Sequence, residues 1–278
     1  MKILFYNPPD DYKDQVKEVW IWNEVRSENL PWILPSYEME LVFHLGFPPV
    51  ILNGAGKKIQ LPKFHWVGPQ TSRWKILDNQ ILNLVSIRFY PSSCFQLFGM
   101  PGIKLRNQYA EFYLDDKLDI SFLLDLSNEK NVIAGLIQVI QNIEKGGNDI
   151  PAYLRFAIVE LTKKQISIGK LSSRLFISRK QLDRKFKEVI GMSPSEFRKI
   201  NRILDMVRNP DNYKINNPAL KLTDIAYKKE FSDQSHFNHE FKEISGSVPG
   251  LWFSEYEKMS HFYKSNAVNS SYSKGRGK

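Results

Sequence analysis

The chain repeats part of itself. The segment from Ser178 to Pro194 can be laid over the segment from Asp233 to Pro249 without a gap, at a constant offset of 55 residues. Phe186/Phe241, Lys187/Lys242, Glu188/Glu243, Gly191/Gly246 and Pro194/Pro249 are identical pairs, and Leu182/Phe237, Val189/Ile244 and Phe197/Trp252 keep their apolar character. Upstream, Leu171 and Ser172 correspond to Ile225 and Ala226, with the second turn one residue longer. Self-similarity of this kind marks a supersecondary unit built twice.

The unit can be read residue by residue. Ser178 and Asp233 are N-cap residues that accept hydrogen bonds from exposed amides, so a helix starts after each. Leu182, Phe186 and Val189 then share one face at i, i+4 and i+7. Gly191 stops the helix, and Pro194 opens the next. The small Ser172 and Ala226 sit where a preceding helix approaches closely. A short helix, a tight turn and a second helix with a polar outer face make a helix-turn-helix.

At 100° per residue, the positions farthest from the buried stripe are Lys180, Arg184 and Lys187 in the first copy, flanked by Asp183. In the second they are Ser235, His239 and Lys242, flanked by Asn238. Arg suits guanine, Asn suits adenine and Lys suits phosphate. The candidate DNA-contacting residues are Arg179, Lys180, Asp183, Arg184 and Lys187, then Gln234, Ser235, His236, Asn238, His239 and Lys242. A helical bundle with an ordinary charged surface is the competing reading, but it does not explain why the layout occurs twice.

Charge distribution agrees. Residues 151–278 hold 24 Lys+Arg against 13 Asp+Glu, leaving 15 against 17 for residues 1–150 out of totals of 39 and 30. The basic surplus belongs to one half, and a one-sided positive field attracts polyanions. No apolar run approaches the roughly 18 residues of a membrane-spanning helix, and the single Cys94 leaves no internal disulfide. The cytoplasm is the expected compartment.

Four segments are expected: a β-domain over 1–118, a helical linker over 119–148, a helical DNA-binding domain over 149–264, and a disordered tail over 265–278. Val16–Val25, Met39–Leu45, Val50–Leu52, Phe64–Val67 and Leu82–Phe89 read as strands separated by turn residues. From Ile133 to Ile143 the apolar period becomes helical, and Gly146, Gly147, Asn148 and Asp149 break the chain. The fold class is α+β, with an N-terminal sandwich and an all-α C-terminal domain.

Leu171, Ser172, Ser178, Leu182, Arg184, Phe186, Lys187, Gly191, Ser193, Pro194, Phe197 and Arg202 resemble the first half of the AraC/XylS-type DNA-binding domain. Ile225, Ala226, Phe231, Asp233, Ser235, Phe237, Phe241, Lys242, Gly246 and Pro249 resemble its second half. The resemblance covers roughly residues 150–256. It implies seven helices, with two recognition helices in successive major-groove segments held apart by a helix starting near Pro194. Glu230 stands where the family usually has Gly, His239 replaces the usual basic residue, and the join from Asn209 to Lys221 is longer than usual.

The stretches Glu40–Gly46, Gly68–Thr71 and Ile87–Pro91 resemble the cupin-like sensor domain that precedes this module in many bacterial regulators. That resemblance implies a sensing or dimerising role. Glu40, Arg88 and Trp66 are the candidate ligand-binding residues, within a set of aromatics that includes Trp20, Trp22, Phe43 and Trp74 and that could equally form the sandwich core. The Ile133–Ile143 stripe is either a dimer seam or a face packed on the β-domain.

The expected function is a sequence-specific transcription regulator that binds double-stranded DNA, with a small-molecule effector, a homodimeric state and RNA polymerase as further candidate partners. No cofactor or metal is called for. The alternative is a DNA-binding module fused to a metal-dependent cupin-type enzyme, but His44 and His65 lie far apart in sequence and the grouped His-x-His of metal cupins is missing. A DNA-repair alkyl transferase would need reactive cysteines, and Cys94 sits among apolar neighbours. Without a nucleophile–base pair or a phosphate-binding glycine loop, catalysis is not expected.

Overall fold

In the computed structural model the structure describes residues 2–8, 10–30, 32–113, 120–124, 128–143, 146–163, 166–208 and 222–254. The expected disordered tail and the long join from Asn209 to Lys221 lie outside them.

Strands β1 (Lys2–Tyr6), β2 (Val16–Arg26), β3 (Met39–His44), β6 (Phe64–Val67), β8 (Ile81–Phe89) and β9 (Tyr109–Glu111) form a six-stranded antiparallel sheet in the order β1-β2-β8-β3-β6-β9. Strands β4 (Val50–Leu52), β5 (Lys58–Gln60) and β7 (Lys75–Ile76) make a second sheet in the order β5-β4-β7. The five strands expected from β-branched and aromatic runs are all present. The four unexpected ones, β1, β5, β7 and β9, have five residues or fewer.

Both faces of the large sheet are covered, and the period-2 alternation sorts them. Met39, Leu41 and Phe43 of β3, with Val85, Ile87 and Phe89 of β8, pack against helices α1 (Ser93–Phe98), α2 (Gly102–Leu105) and α3 (Glu129–Ile143) through Cys94, Leu97, Leu105, Leu136 and Ile140. The intervening residues Glu40, Val42, His44, Ser86 and Arg88 turn to the other face, towards the small sheet. This decides between the two readings of the helical stripe. Val132, Leu136, Val139 and Ile140 are buried against the β-domain, so the stripe is a packing face.

Seven helices follow among the described residues: α4 (Ala152–Lys163), α5 (Ile168–Arg174), α6 (Arg179–Ile190), α7 (Pro194–Arg208), α8 (Leu222–Lys228), α9 (Gln234–Ser245) and α10 (Pro249–Ser254). They share one core, in which Leu182, Phe186, Phe197, Phe237, Phe241 and Trp252 are prominent. Leu34, Tyr37 and Phe95 of the β-domain belong to that same core. The glycine-rich break before α4 is pinned in place. Asn148 donates its backbone amide to the Phe95 carbonyl at 3.2 Å, and a side chain on Gly147 would strike the Gln96 carbonyl.

Candidate nucleic-acid interface

Two regions carry polar groups that the core does not explain: a cavity in the β-domain and the outer faces of α6 and α9. The cavity, of about 140 Å³, lies between the large and small sheets. Trp20, Trp22, Val42, Ile51, Trp74 and Leu84 are among its apolar walls, and Glu38, Glu40, Arg88 and Arg208 are its charged ones. The sequence reading placed Trp66 among the ligand-binding residues, and this is corrected. Trp66 pairs with Leu41 across the sheet, shares its face, and packs on Phe89 and Phe98 in the core beneath the helices.

Glu40 and Arg88 do face the cavity, but they bind each other. Arg88 Nε donates to Glu40 at 2.8 Å, and its Nη1 reaches Glu18 at 2.5 Å. Glu38 pairs with Lys17 at 2.5 Å and with Arg208 at 3.2 Å. Burial alone would raise the Glu38 carboxyl, but the cations of Lys17, Arg208 and Arg88 hold it well below the usual carboxylate range. The sheet also brings together two histidines that are distant in sequence. His44 and His65 stack with ring centroids 5.3 Å apart. Burial holds both neutral, with His44 lowered to about 3 and His65 to about 4. No group of three or more metal-ligating side chains occurs among the described residues.

The two helical repeats are built alike. Ser178 accepts from the Gln181 amide while Gln181 reaches back to the Ser178 amide, a complete capping box. Asp233 accepts from the His236 amide. Gly191 (φ 86°) and Gly246 (φ 89°) end α6 and α9 in the left-handed conformation that glycine adopts without strain. The turn before each helix contains a second left-handed residue, Phe176 (φ 54°) or Glu230 (φ 56°). Neither is glycine, and Phe176 is 95% exposed.

On α6, Arg179, Lys180, Arg184 and Lys187 are exposed, with Asp183 at the margin. Lys187 and Asp183 pair at 2.8 Å on that outer face. On α9, Gln234, Ser235, His239 and Lys242 are exposed, and Asn238 is half-buried. His236 turns back along its own helix, 2.9 Å from Glu240 and 3.0 Å from the Ser232 hydroxyl. Arg202 of α7, singled out only through the family resemblance, is buried. It pairs with Glu240, lies 3.6 Å above the Phe231 ring, and donates to the carbonyls of Lys229 and Glu230 at 3.3 Å. One side chain of the central helix thus holds the turn of the second unit.

Comparison with known families decides what this duplicated arrangement is. Residues 171–255 match the family described as "Helix-turn-helix domain". The C-terminal region is a helix-turn-helix domain of the AraC type. Residues 4–111 match a domain family of unknown function, DUF6597. No curated protein matches the chain. Among solved structures, one of ToxT from Vibrio cholerae is similar over 91% of this chain and 97% of its own, at 12% identity and a TM-score of 0.45. Two others are ToxT bound to (E)-4-(8-methylnaphthalen-1-yl)but-3-enoic acid (92% and 98% covered, 12% identity, TM-score 0.43) and unsaturated fatty acid-bound wild-type ToxT (90% and 92%, 13%, 0.44).

The AraC-type domain is fastened to the β-domain by polar and close backbone contacts that the sequence did not announce. Arg106 forms a two-pronged ion pair with Glu196 of α7, at 2.7 and 3.0 Å, and donates to the Gly191 carbonyl at the end of α6 at 3.0 Å. The Arg106 hydrogen bonds hold the Glu196 carboxyl down to about 2. Gly102 lies against the same end of α6, where a Cβ would fall 2.4 Å from the Ile190 carbonyl carbon. At the end of α9, Arg73 donates to the Lys242 carbonyl at 3.3 Å. Along α7, the Tyr37 hydroxyl meets Asn201 at 2.9 Å, and Arg208 reaches Glu38 in the cavity wall. The C-terminal ends of both recognition helices are therefore each met by a β-domain arginine, where the helix dipole favours a cation.

Proposed function

We propose that the chain is a sequence-specific transcription regulator that reads two adjacent major-groove segments of double-stranded DNA and whose β-domain senses a small molecule. The observation that carries the reading is the pair of capped recognition helices, built on one core, with Arg184 and His239 exposed at corresponding positions. A core common to both units fixes their separation, which is what simultaneous entry into successive grooves requires. The small-molecule half of the reading is supported by the cavity, because part of its wall, Leu204 and Arg208, comes from the AraC-type domain itself.

We also propose that it acts without catalysis. Cys94 is buried and burial pushes its thiol well above the usual range, away from nucleophilic character. The carboxylates around the cavity are held in ion pairs, and burial keeps His44 and His65 neutral, neither arrangement being one that exchanges protons readily with a substrate. A homodimer would have to use a surface other than the α3 stripe.

The full chain, used to select duplexes from a random pool, should recover two conserved segments about 10 base pairs apart, centre to centre. Affinity for the selected duplex should fall steeply with salt, each phosphate contact adding about 0.9 to the log–log slope. A pool that stays random, or a salt-independent affinity, refutes the reading.

A further inference from the structure

We propose that the cavity of the β-domain selects an uncharged, largely apolar molecule carrying one hydrogen-bonding group, and that it discriminates against carboxylates. This rests on the sensing reading above and gives it a ligand class.

Size comes first. A cavity of about 140 Å³ has room for a small molecule and not merely for one or two waters. Flat indole walls from Trp20, Trp22 and Trp74 suit a ring the size of a substituted benzene.

Polarity comes second. Three residues of the lining, all less than 5% exposed, keep a buried polar atom without a hydrogen-bond partner: Trp74 Nε1, His44 Nε2 and Gln70 Oε1. Buried polar atoms in folded proteins nearly always have partners, from protein, water or ligand. The Trp74 N–H is a donor and the Gln70 oxygen an acceptor, and a hydroxyl, which both donates and accepts, is the group that can answer either one.

Charge decides the class. The charged residues of the lining are Glu38, Glu40, Arg88 and Arg208, and Glu18 and Lys17 stand behind them. Three carboxylates meet three cations, and every cation is engaged: Lys17 and Arg208 by Glu38, Arg88 by Glu18 and Glu40. An entering carboxylate would find no uncommitted cation. It would instead bring a fourth negative charge beside Glu38 and Glu40, in surroundings that solvate it poorly. An uncharged ligand meets neither penalty.

The experiment uses the full-length protein and calorimetric titration at pH 7 with two matched probes, 4-propylphenol and 4-propylbenzoate. The phenol should bind at least tenfold more tightly. Trp74→Phe removes the N–H together with part of the indole ring, and should weaken the phenol at least fivefold, the worth of one neutral hydrogen bond, with folding checked by melting. Val42→Phe fills the cavity and should abolish binding of both probes, with folding checked by melting. Glu40→Gln leaves Arg88 short of a counter-charge and should shift the preference towards the benzoate by tenfold or more. A wild-type preference for the benzoate overturns the uncharged class but keeps a sensing cavity. Binding of neither probe to the wild type overturns the cavity as a ligand site and the sensing reading with it, leaving DNA binding to its own test. An unchanged preference in Glu40→Gln refutes the charge argument.

Discussion

In the first helix-turn-helix unit the recognition helix carries Arg179, Lys180, Arg184, Lys185 and Lys187 against Asp183 and Glu188, whereas in the second it carries Lys242 against Glu240 and Glu243, with His236 and His239. The units differ equally in how they are held. The end of α6 meets the β-domain backbone to backbone at Gly102 and Gly191, reinforced by Arg106, while α9 meets it through the flexible arm of Arg73. Lys185 is drawn into this attachment as well, pairing with Glu188 and lying 5.5 Å from the centre of the Phe95 ring. The unit with the stronger charge is thus also the one more rigidly tied to the β-domain. One duplicated sequence pattern has been built out in two ways, as a strongly basic, firmly held unit and as a less basic, more lightly held one.

The sharpest way to break this contrast is to crowd the two attachments in turn. Gly102→Ala places a methyl group against the backbone of Ile190 and Gly191, which cannot move aside, and should destabilise the full chain by about 2–3 kcal/mol. Gly246→Ala meets the end of Arg73, which can swing away, so only the left-handed strain of about 1–2 kcal/mol should remain. Chemical denaturation of the two variants measures both costs. A larger loss at Gly246 would mean that the second attachment is the rigid one.

DNA affinity separates the faces. A bidentate Arg–guanine contact is worth about 1–3 kcal/mol of discrimination. Arg184→Ala should therefore weaken binding to a selected duplex by tenfold or more, and His239→Ala by less. The comparison needs a single labelled duplex at fixed salt. A greater loss from His239→Ala would make the second unit the principal reader and reverse the roles assigned to the two faces.

The smallest effect concerns what the units share. Phe176→Gly and Glu230→Gly each relieve a left-handed residue worth about 1–2 kcal/mol, offset by about 0.5–1 kcal/mol of added chain entropy. Both should raise stability by about 0.5–1 kcal/mol, visible as a rise in denaturation midpoint. Gains of similar size would show that the turns are equivalent and that the units diverge only in their faces and attachments. A gain at one turn alone would show that the turns have diverged too.

What the sequence revealed follows the range over which its code operates. Caps at Ser178 and Asp233, the Leu182–Phe186–Val189 stripe, the Gly191 stop and the Pro194 start are signals a few residues long, so both recognition helices could be read directly. Strands with strong β-branched and aromatic runs were legible for the same reason. The short strands at Lys2–Tyr6, Lys58–Gln60, Lys75–Ile76 and Tyr109–Glu111, and the six- and four-residue helices α1 and α2, are too brief to establish a period. Trp66 was misplaced because β6 is apolar at most positions and gives no internal indication of which face is which. Its side is set by pairing with Leu41, 25 positions earlier in the chain. Arg73 and Arg106 look like ordinary surface cations until the AraC-type domain is packed against them.

Leu204 and Arg208 stand in the wall of the cavity, yet they belong to the last turns of α7, the helix between the two helix-turn-helix units. A molecule held against them and a duplex held by α6 and α9 would press on the same rigid rod from opposite ends. Equilibrium coupling of this kind runs both ways with equal strength. If the molecule alters the hold on DNA, the operator is in turn an effector of the molecule, and the protein's affinity for the small ligand should depend on whether it is on its site or adrift.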